Sequence, residues 1–178
     1  MRWIVILLVF LPGLAAANDW AALDEPGAIA IMRHALAPGT GDPAGFRIDD
    51  CATQRNLDAR GRDQARAIGA AFRERGIAFS VVLSSQWCRC RETADLLDLG
   101  EVVEAPALNS FFGNPARRAP QTRATLELLS RTDGRAMLVS HQVNISALTG
   151  FATRSGEVLV IRVVDGMVDL LGRILIDP

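Results

Sequence analysis

The 178-residue sequence predicts an α/β fold: a doubly wound, mostly parallel sheet with helices on both faces and an antiparallel hairpin at its C-terminal edge. Three observations carry this. Short apolar runs alternate with segments of helical spacing. Several runs close on polar residues, as parallel strands do when they deliver side chains to the carboxyl edge of an open sheet. Finally, two β-rich runs near the C-terminus are separated by Asp165-Gly166, a two-residue hairpin signal.

The first apolar run, Ala28-Ile29-Ala30-Ile31-Met32, is read as a strand ending on Arg33-His34. From Ala35 to Gln54 the chain carries Pro38, Gly39, Gly41, Pro43 and Gly45, the composition of a long loop, and loops of this length in compact domains usually serve function. Leu57, Ala65, Ile68, Ala71 and Phe72 follow a helical spacing over about 58–75, stopped by Gly76. A second strand is expected over 79–83, leading through Ser84-Ser85 to Arg89, and Glu92 to Leu97 lies in a second helix that Gly100 ends. A short strand over 101–103 and a loop through 106–120 precede a helix over about 121–130. Thr132-Asp133-Gly134 then turns the chain into the run Ala136-Met137-Leu138-Val139-Ser140-His141. A helix from Gln142 to Leu148, capped by Gly150, leads to β-rich runs over 158–164 and 168–176.

Residues 1–17 read as a secretory signal: Arg2 supplies the positive region, Trp3 to Leu11 is apolar, Pro12-Gly13 breaks it and Ala15-Ala16-Ala17 fits a cleavage site. The apolar stretch is far shorter than the ~20 residues of a spanning helix, so no membrane span is expected after cleavage. Residues 18–178 are then expected to form a single domain, periplasmic or secreted. An oxidising compartment bears on Cys51, Cys88 and Cys90: a disulfide from Cys51 to Cys88 or Cys90 would tie the long loop to the Arg89 turn. Cys88-x-Cys90 without a second pair is a poor zinc signature, and neither metal nor cofactor is expected.

All 19 basic residues are arginine, the formal net charge is −1, and no basic block stands out. Acidic residues are interspersed throughout, which argues against a nucleic-acid or anionic-membrane surface. Arg117-Arg118 reads as a solvated loop or helix start. Both histidines of the chain, His34 and His141, end apolar runs, and each could be a hydrogen-bonded structural residue. Together with Arg33 and Arg89 at neighbouring strand ends, however, they make a site for a dianionic phosphoryl group.

These residues resemble the histidine phosphatase superfamily, which shares the phosphoglycerate mutase fold, a three-layer sandwich. Arg33-His34 resembles the Arg-His pair after the first strand, and Leu57-x3-Gly61-x2-Gln64-Ala65 the first-helix pattern. Ser84-Ser85-x3-Arg89-x3-Thr93-Ala94 resembles the second arginine segment, and Ser140-His141 the second histidine. The resemblance implies that His34 is the nucleophile, forming a phosphohistidine, while Arg33, Arg89 and His141 hold the phosphoryl oxygens. Arg55 is either a further substrate contact or a partner of Asp49, Asp50 or Asp58. Relatives usually take their leaving-group acid from a glutamate after the third strand or an aspartate after the second histidine. Here those places hold Ser110 and Gln142, so either Asp42, Asp49, Asp50 or Glu104 is the donor or the leaving group is one that needs little acid help.

The reading that follows is metal-independent phosphomonoester hydrolysis in the bacterial cell envelope, on a sugar phosphate or another small phosphorylated substrate. The chain is similar to exported members associated with lipopolysaccharide-core phosphate removal. The alternative is a non-catalytic phospho-ligand binding or sensing module, suggested by the missing acid.

Overall fold

The computed structural model describes residues 18–176; the expected signal segment lies outside them. Among the described residues one six-stranded sheet forms from β1 (Ile29–Arg33), β2 (Val81–Ser84), β3 (Val102–Glu104), β4 (Ala136–Ser140), β5 (Val158–Val164) and β6 (Met167–Ile174). Their order across the sheet is β3-β2-β4-β1-β5-β6, with β3, β2, β4 and β1 parallel. The helices are α1 (Ala59–Glu74), α2 (Cys88–Leu97), α3 (Arg118–Ser130) and α4 (Gln142–Thr149).

Strand alternation sorts the apolar runs into two cores. Ala30 and Met32 of β1, with Met137, Val139 and Val82, point to one face and meet Ile68 and Phe72 of α1 and Ala94 and Leu97 of α2. Ile29 and Ile31, with Leu138 and Leu83, point to the other face and meet Leu129 of α3 and Ile145 of α4. A strand buried on both faces reads as a continuous apolar run, which is why β1 and β4 lack the polar alternation of a half-exposed strand. The result is the three-layer sandwich expected from the sequence.

Most element ends fall within two residues of expectation, and the differences have local causes. Asp58 caps α1, its carboxylate accepting the Gly61 N–H at 2.8 Å. Helix α2 starts at Cys88, so Arg89 sits in the first turn of a helix and not at a strand end. It ends on Asp98, which takes the left-handed conformation (φ 51°) before Gly100 is reached. The stretch 106–120 is less loop than expected: turns of 3-10 helix span Pro106–Leu108 and Pro115–Arg117, and α3 begins at Arg118. Pro120 is tolerated there because first-turn N–H groups have no helical acceptor. At the C-terminus Asp165 and Gly166 both adopt positive φ, 51° and 76°, as a tight hairpin turn requires. The hairpin closes one side of the sheet with β6 outermost, and β5 also pairs antiparallel with β1.

Two glycines of α1 let it approach the segment after His34 and the end of α2. A Cβ on Gly61 would lie 1.9 Å from the Leu36 carbonyl oxygen, and one on Gly69 1.9 Å from that of Leu97. Gln64 then grips the same segment, accepting from the Leu36 N–H at 2.9 Å and donating to the Ser155 carbonyl at 2.9 Å. The first-helix pattern thus fixes the chain just after His34.

Candidate active site

Strand β1 ends at Arg33 and strand β4 at Ser140, and these strands are neighbours in register, Arg33 opposite Ser140. The residues that follow, His34 and His141, therefore emerge side by side at the carboxyl edge, their ring centroids 5.6 Å apart. With Arg33, Arg55, Arg89 and Asp42 they line a pocket of about 220 Å³ whose rim is formed by Gly39–Gly41, Ser110, Phe112, Gln142 and Val143. All five residues singled out as catalytic or substrate-binding thus share one cavity.

His34 is 2% exposed, and its Nδ1 lies 2.7 Å from the Ala35 carbonyl oxygen, a partner that can only accept. Nδ1 must therefore carry the proton, which leaves Nε2 with an unprotonated lone pair. The Arg89 Nε–H donates to that Nε2 at 3.2 Å. Burial, then the charge of Arg89, push the imidazole pKa down to about 3, so the ring is neutral at physiological pH. Ala35 is itself clamped: its N–H donates to the Thr93 hydroxyl at 3.1 Å, and that hydroxyl donates to the Arg89 carbonyl at 2.7 Å. Thr93 of the second arginine segment thereby fixes the acceptor that sets the His34 tautomer.

His141 is also buried, and its pKa is lowered well below the ordinary value by burial, then by His34 and Arg89. Its Nε2 stands 2.8 Å from the Ser85 hydroxyl, which lies 3.2 Å from Asn109 Oδ1. Arg33 donates from Nη1 to the Thr153 carbonyl at 3.3 Å, while its buried Nε–H has no partner among the described residues. An unpaired buried donor is costly.

Arg55 pairs with neither Asp49, Asp50 nor Asp58. Its Nε–H and Nη1–H donate to the carbonyls of Gly41 and Ala37, so its side chain shapes the long loop while facing the pocket. Of the four candidate acids only Asp42 lines the cavity. Asp50 caps a 3-10 turn and pairs with Arg47, Asp49 lies on the surface, and Glu104 pairs with Arg91 at 3.1 Å outside the pocket. Asp42 is instead seated on Arg89, with Nη1–Oδ1 at 2.7 Å, and accepts the Trp87 indole N–H at 2.9 Å. Burial raises its pKa, but the hydrogen bonds from Arg89 and Trp87 outweigh that and hold the carboxyl below its usual range.

A disulfide joins Cys51 to Cys88, the first of the two pairings open from the sequence, and Cys90 is a free, buried thiol. The bridge anchors the far end of the long loop beside Arg89. The Cys90 sulfur lies 3.4 Å from His141 Nε2, and burial pushes its pKa up to about 12, so it is a neutral buried thiol and not a thiolate. Among the described residues no three His, Cys, Asp or Glu side chains are grouped as a metal site would need. Sequence reasoning missed Trp87 and Phe112, since nothing in the spacing links an indole to Asp42 or places an exposed aromatic at the rim.

Residues 29–114 match the family model of the histidine phosphatase superfamily (branch 1), the segment that carries β1, both arginine motifs and the long loop. Over that segment the chain is similar to the histidine phosphatase superfamily. No curated protein matches its sequence significantly. Among solved structures, phosphoglycerate mutase from Thermus thermophilus superposes with a TM-score of 0.61 at 17% identity, covering 84% of this chain and 99% of that one. The protein histidine phosphatase SixA complexed with tungstate gives 0.57 at 18%, over 82% and 95%. The alpha-ribazole phosphatase from Shigella flexneri gives 0.58 at 18%, over 80% and 94%. At such identities the likeness establishes the fold, here that of the phosphoglycerate mutases.

Proposed function

We propose that this protein hydrolyses small phosphate monoesters without a metal, through a phosphohistidine at His34. The observation that carries the reading is the tautomer of His34: with Nδ1–H spent on Ala35, Nε2 keeps an unprotonated lone pair beside Arg33, Arg55 and His141. That lone pair accepts the Arg89 Nε–H at 3.2 Å in the resting site and must exchange that bond for phosphorus. A neutral imidazole in a ring of guanidiniums is poised to attack phosphorus, and the fixed positive charges stabilise the oxygens as charge shifts onto them. Three guanidiniums and the Asp42 carboxylate, beside two neutral imidazoles, give the wall a net charge of +2, the complement of a phosphate-ester dianion. A purely binding module has no need of a nucleophile held in one tautomer.

The site of action is the cell envelope, and the substrate a sugar phosphate or comparable small ester. The signal-like residues 1–17 support export, and the Cys51–Cys88 disulfide is what an oxidising compartment favours. The cavity, at about 220 Å³, holds a phosphoryl group with space to spare, and the leaving group would extend from it toward the rim of Gly39–Gly41, Ser110 and Phe112.

The test is the fate of the adduct. With a ³²P-labelled aryl phosphate, alkaline denaturation should leave label on His34 and acid should release it, because a phosphoramidate nitrogen is protonated in acid and departs. His34→Ala should abolish both adduct and turnover. Label on another residue, or turnover without His34, would overturn the assignment.

A further inference from the structure

The Asp42 carboxylate sits where an anion belongs. Oδ1 accepts Arg89 Nη1 at 2.7 Å, Oδ2 accepts Nη2 at 3.3 Å and the Trp87 indole at 2.9 Å, and the Arg55 backbone N–H reaches Oδ1 at 3.2 Å. This two-pronged seat has the shape of the contact a guanidinium makes with two phosphoryl oxygens. Carboxylate and phosphoryl group compete for it. Asp42 follows Gly39-Thr40-Gly41, whose glycines take φ 90° and 72°, conformations that let the backbone beside Asp42 turn at little cost.

We infer that Asp42 is the leaving-group acid of the reaction proposed above: the arriving phosphoryl group takes over the Arg89 fork, Asp42 swings aside on its glycine loop, and its carboxyl protonates the ester oxygen. The inference rests on the phosphatase reading of the same pocket. Other sources of that proton fail on position or chemistry. Asp49, Asp50 and Glu104 lie outside the cavity, and Ser110 and Gln142, which line it, are not acids of useful strength.

The charge balance works in the same direction. Arg33, Arg55, Arg89, His34 and His141 all face this pocket, and in the empty site the Arg89 and Trp87 bonds hold the Asp42 carboxyl low against the effect of burial. Exchange on Arg89 removes the stronger of those bonds and sets a dianion beside the carboxylate. Both changes raise its proton affinity, and burial now adds to them. Asp42 therefore takes a proton from solvent as the ester binds. In the first step the His34 Nε2 lone pair forms the N–P bond, the P–O ester bond breaks, and its electron pair takes the Asp42 proton, releasing an alcohol. In the second, Asp42 accepts a proton from the water whose oxygen attacks phosphorus. The N–P bond breaks back onto Nε2, inorganic phosphate leaves, and Asp42 is again protonated.

Turnover of ethyl phosphate, whose leaving group needs a proton, is compared with that of 2,4-dinitrophenyl phosphate, whose leaving group does not, in full-length wild-type, Asp42→Asn and Asp42→Glu proteins. Asp42→Asn should lose about 10²–10⁴-fold on ethyl phosphate and no more than about tenfold on the dinitrophenyl ester. Inorganic phosphate should inhibit that variant at least as strongly as wild type, since the competing carboxylate is gone. Asp42→Glu, which keeps charge and acid but displaces the proton, should lose about tenfold more on ethyl phosphate than on the dinitrophenyl ester, and it decides the matter if asparagine is not tolerated. Equal losses on the two esters, or retained ethyl phosphate turnover, remove Asp42 from the chemistry. A wild-type protein that neither turns over the dinitrophenyl ester nor labels His34 overturns the phosphatase reading itself, a separate outcome.

Discussion

Arg89 is the residue on which the pocket converges. Its Nε–H meets His34, its Nη groups meet Asp42, and Nη2 lies 3.5 Å from His141 Nδ1. Lysine keeps the charge but offers a point donor in place of a planar fork, so Arg89→Lys should lose on the order of 10²–10³-fold in kcat/KM for an aryl phosphate. Near-normal turnover would place Arg89 outside the chemistry. Exposed Arg117 and Arg118, which do not line the cavity, should tolerate alanine with less than a twofold change. The buried histidines also set a pH dependence of stability. In the unfolded chain an imidazole binds a proton near pH 6.5, whereas folded His34 resists until about pH 3 and His141 is shifted the same way. Between those values the unfolded state holds more protons, so stability falls as pH drops through about 6.5 toward 3. Thermal midpoints measured from pH 8 to 4 should decline in that window, and His141→Asn should flatten part of the decline; an unchanged slope would show that His141 is not buried in its neutral form.

The elements hold these residues in place through backbone contacts that tolerate no added atom. At Gly61 a methyl group would collide with the Leu36 carbonyl, two residues past His34. Gly61→Ala should therefore destabilise the fold by about 2–4 kcal/mol in urea titrations and lower kcat as well, because the relief available is to push α1 from the His34 segment. Gly166, with open space around it, offers a contrast: alanine there carries only the cost of its positive φ, about 1 kcal/mol, and should leave kcat alone. The disulfide closes a separation of 37 residues between the long loop and α2. Chain-entropy arguments put its loss at roughly 3–4 kcal/mol. Cys51→Ser should thus lower the urea midpoint and raise KM more than it lowers kcat, since the bridged loop supplies the rim and not the nucleophile.

At the scale of the molecule, the sheet order brings two distant strand ends together and supplies positive charge with three guanidiniums. Turnover should survive excess EDTA within about twofold, because in the proposed mechanism arginine fills the role that magnesium plays in other phosphoryl transfers. Complete loss on chelation, restored by a divalent metal, would overturn the proposed mechanism.

Much of this was written in local sequence. The apolar runs of β1 and β4 end on His34 and His141, and a strand's alternation is fixed by the backbone alone, so both the two-faced core and the strand-end histidines follow from the residues. The motif residues Gly61, Gln64 and Thr93 were legible as a pattern, but their tasks were not: the contacts with Leu36 and Ala35 span 25 to 58 residues of chain. The choice of Cys88 over Cys90 also lay beyond the sequence, because it depends on which side of a helix start faces the long loop. Most of all, four acids were equivalent in sequence. Only the folded chain seats Asp42 on Arg89 and leaves Asp49, Asp50 and Glu104 outside, because loop position is set by long-range hydrogen bonds and packing that no local preference encodes.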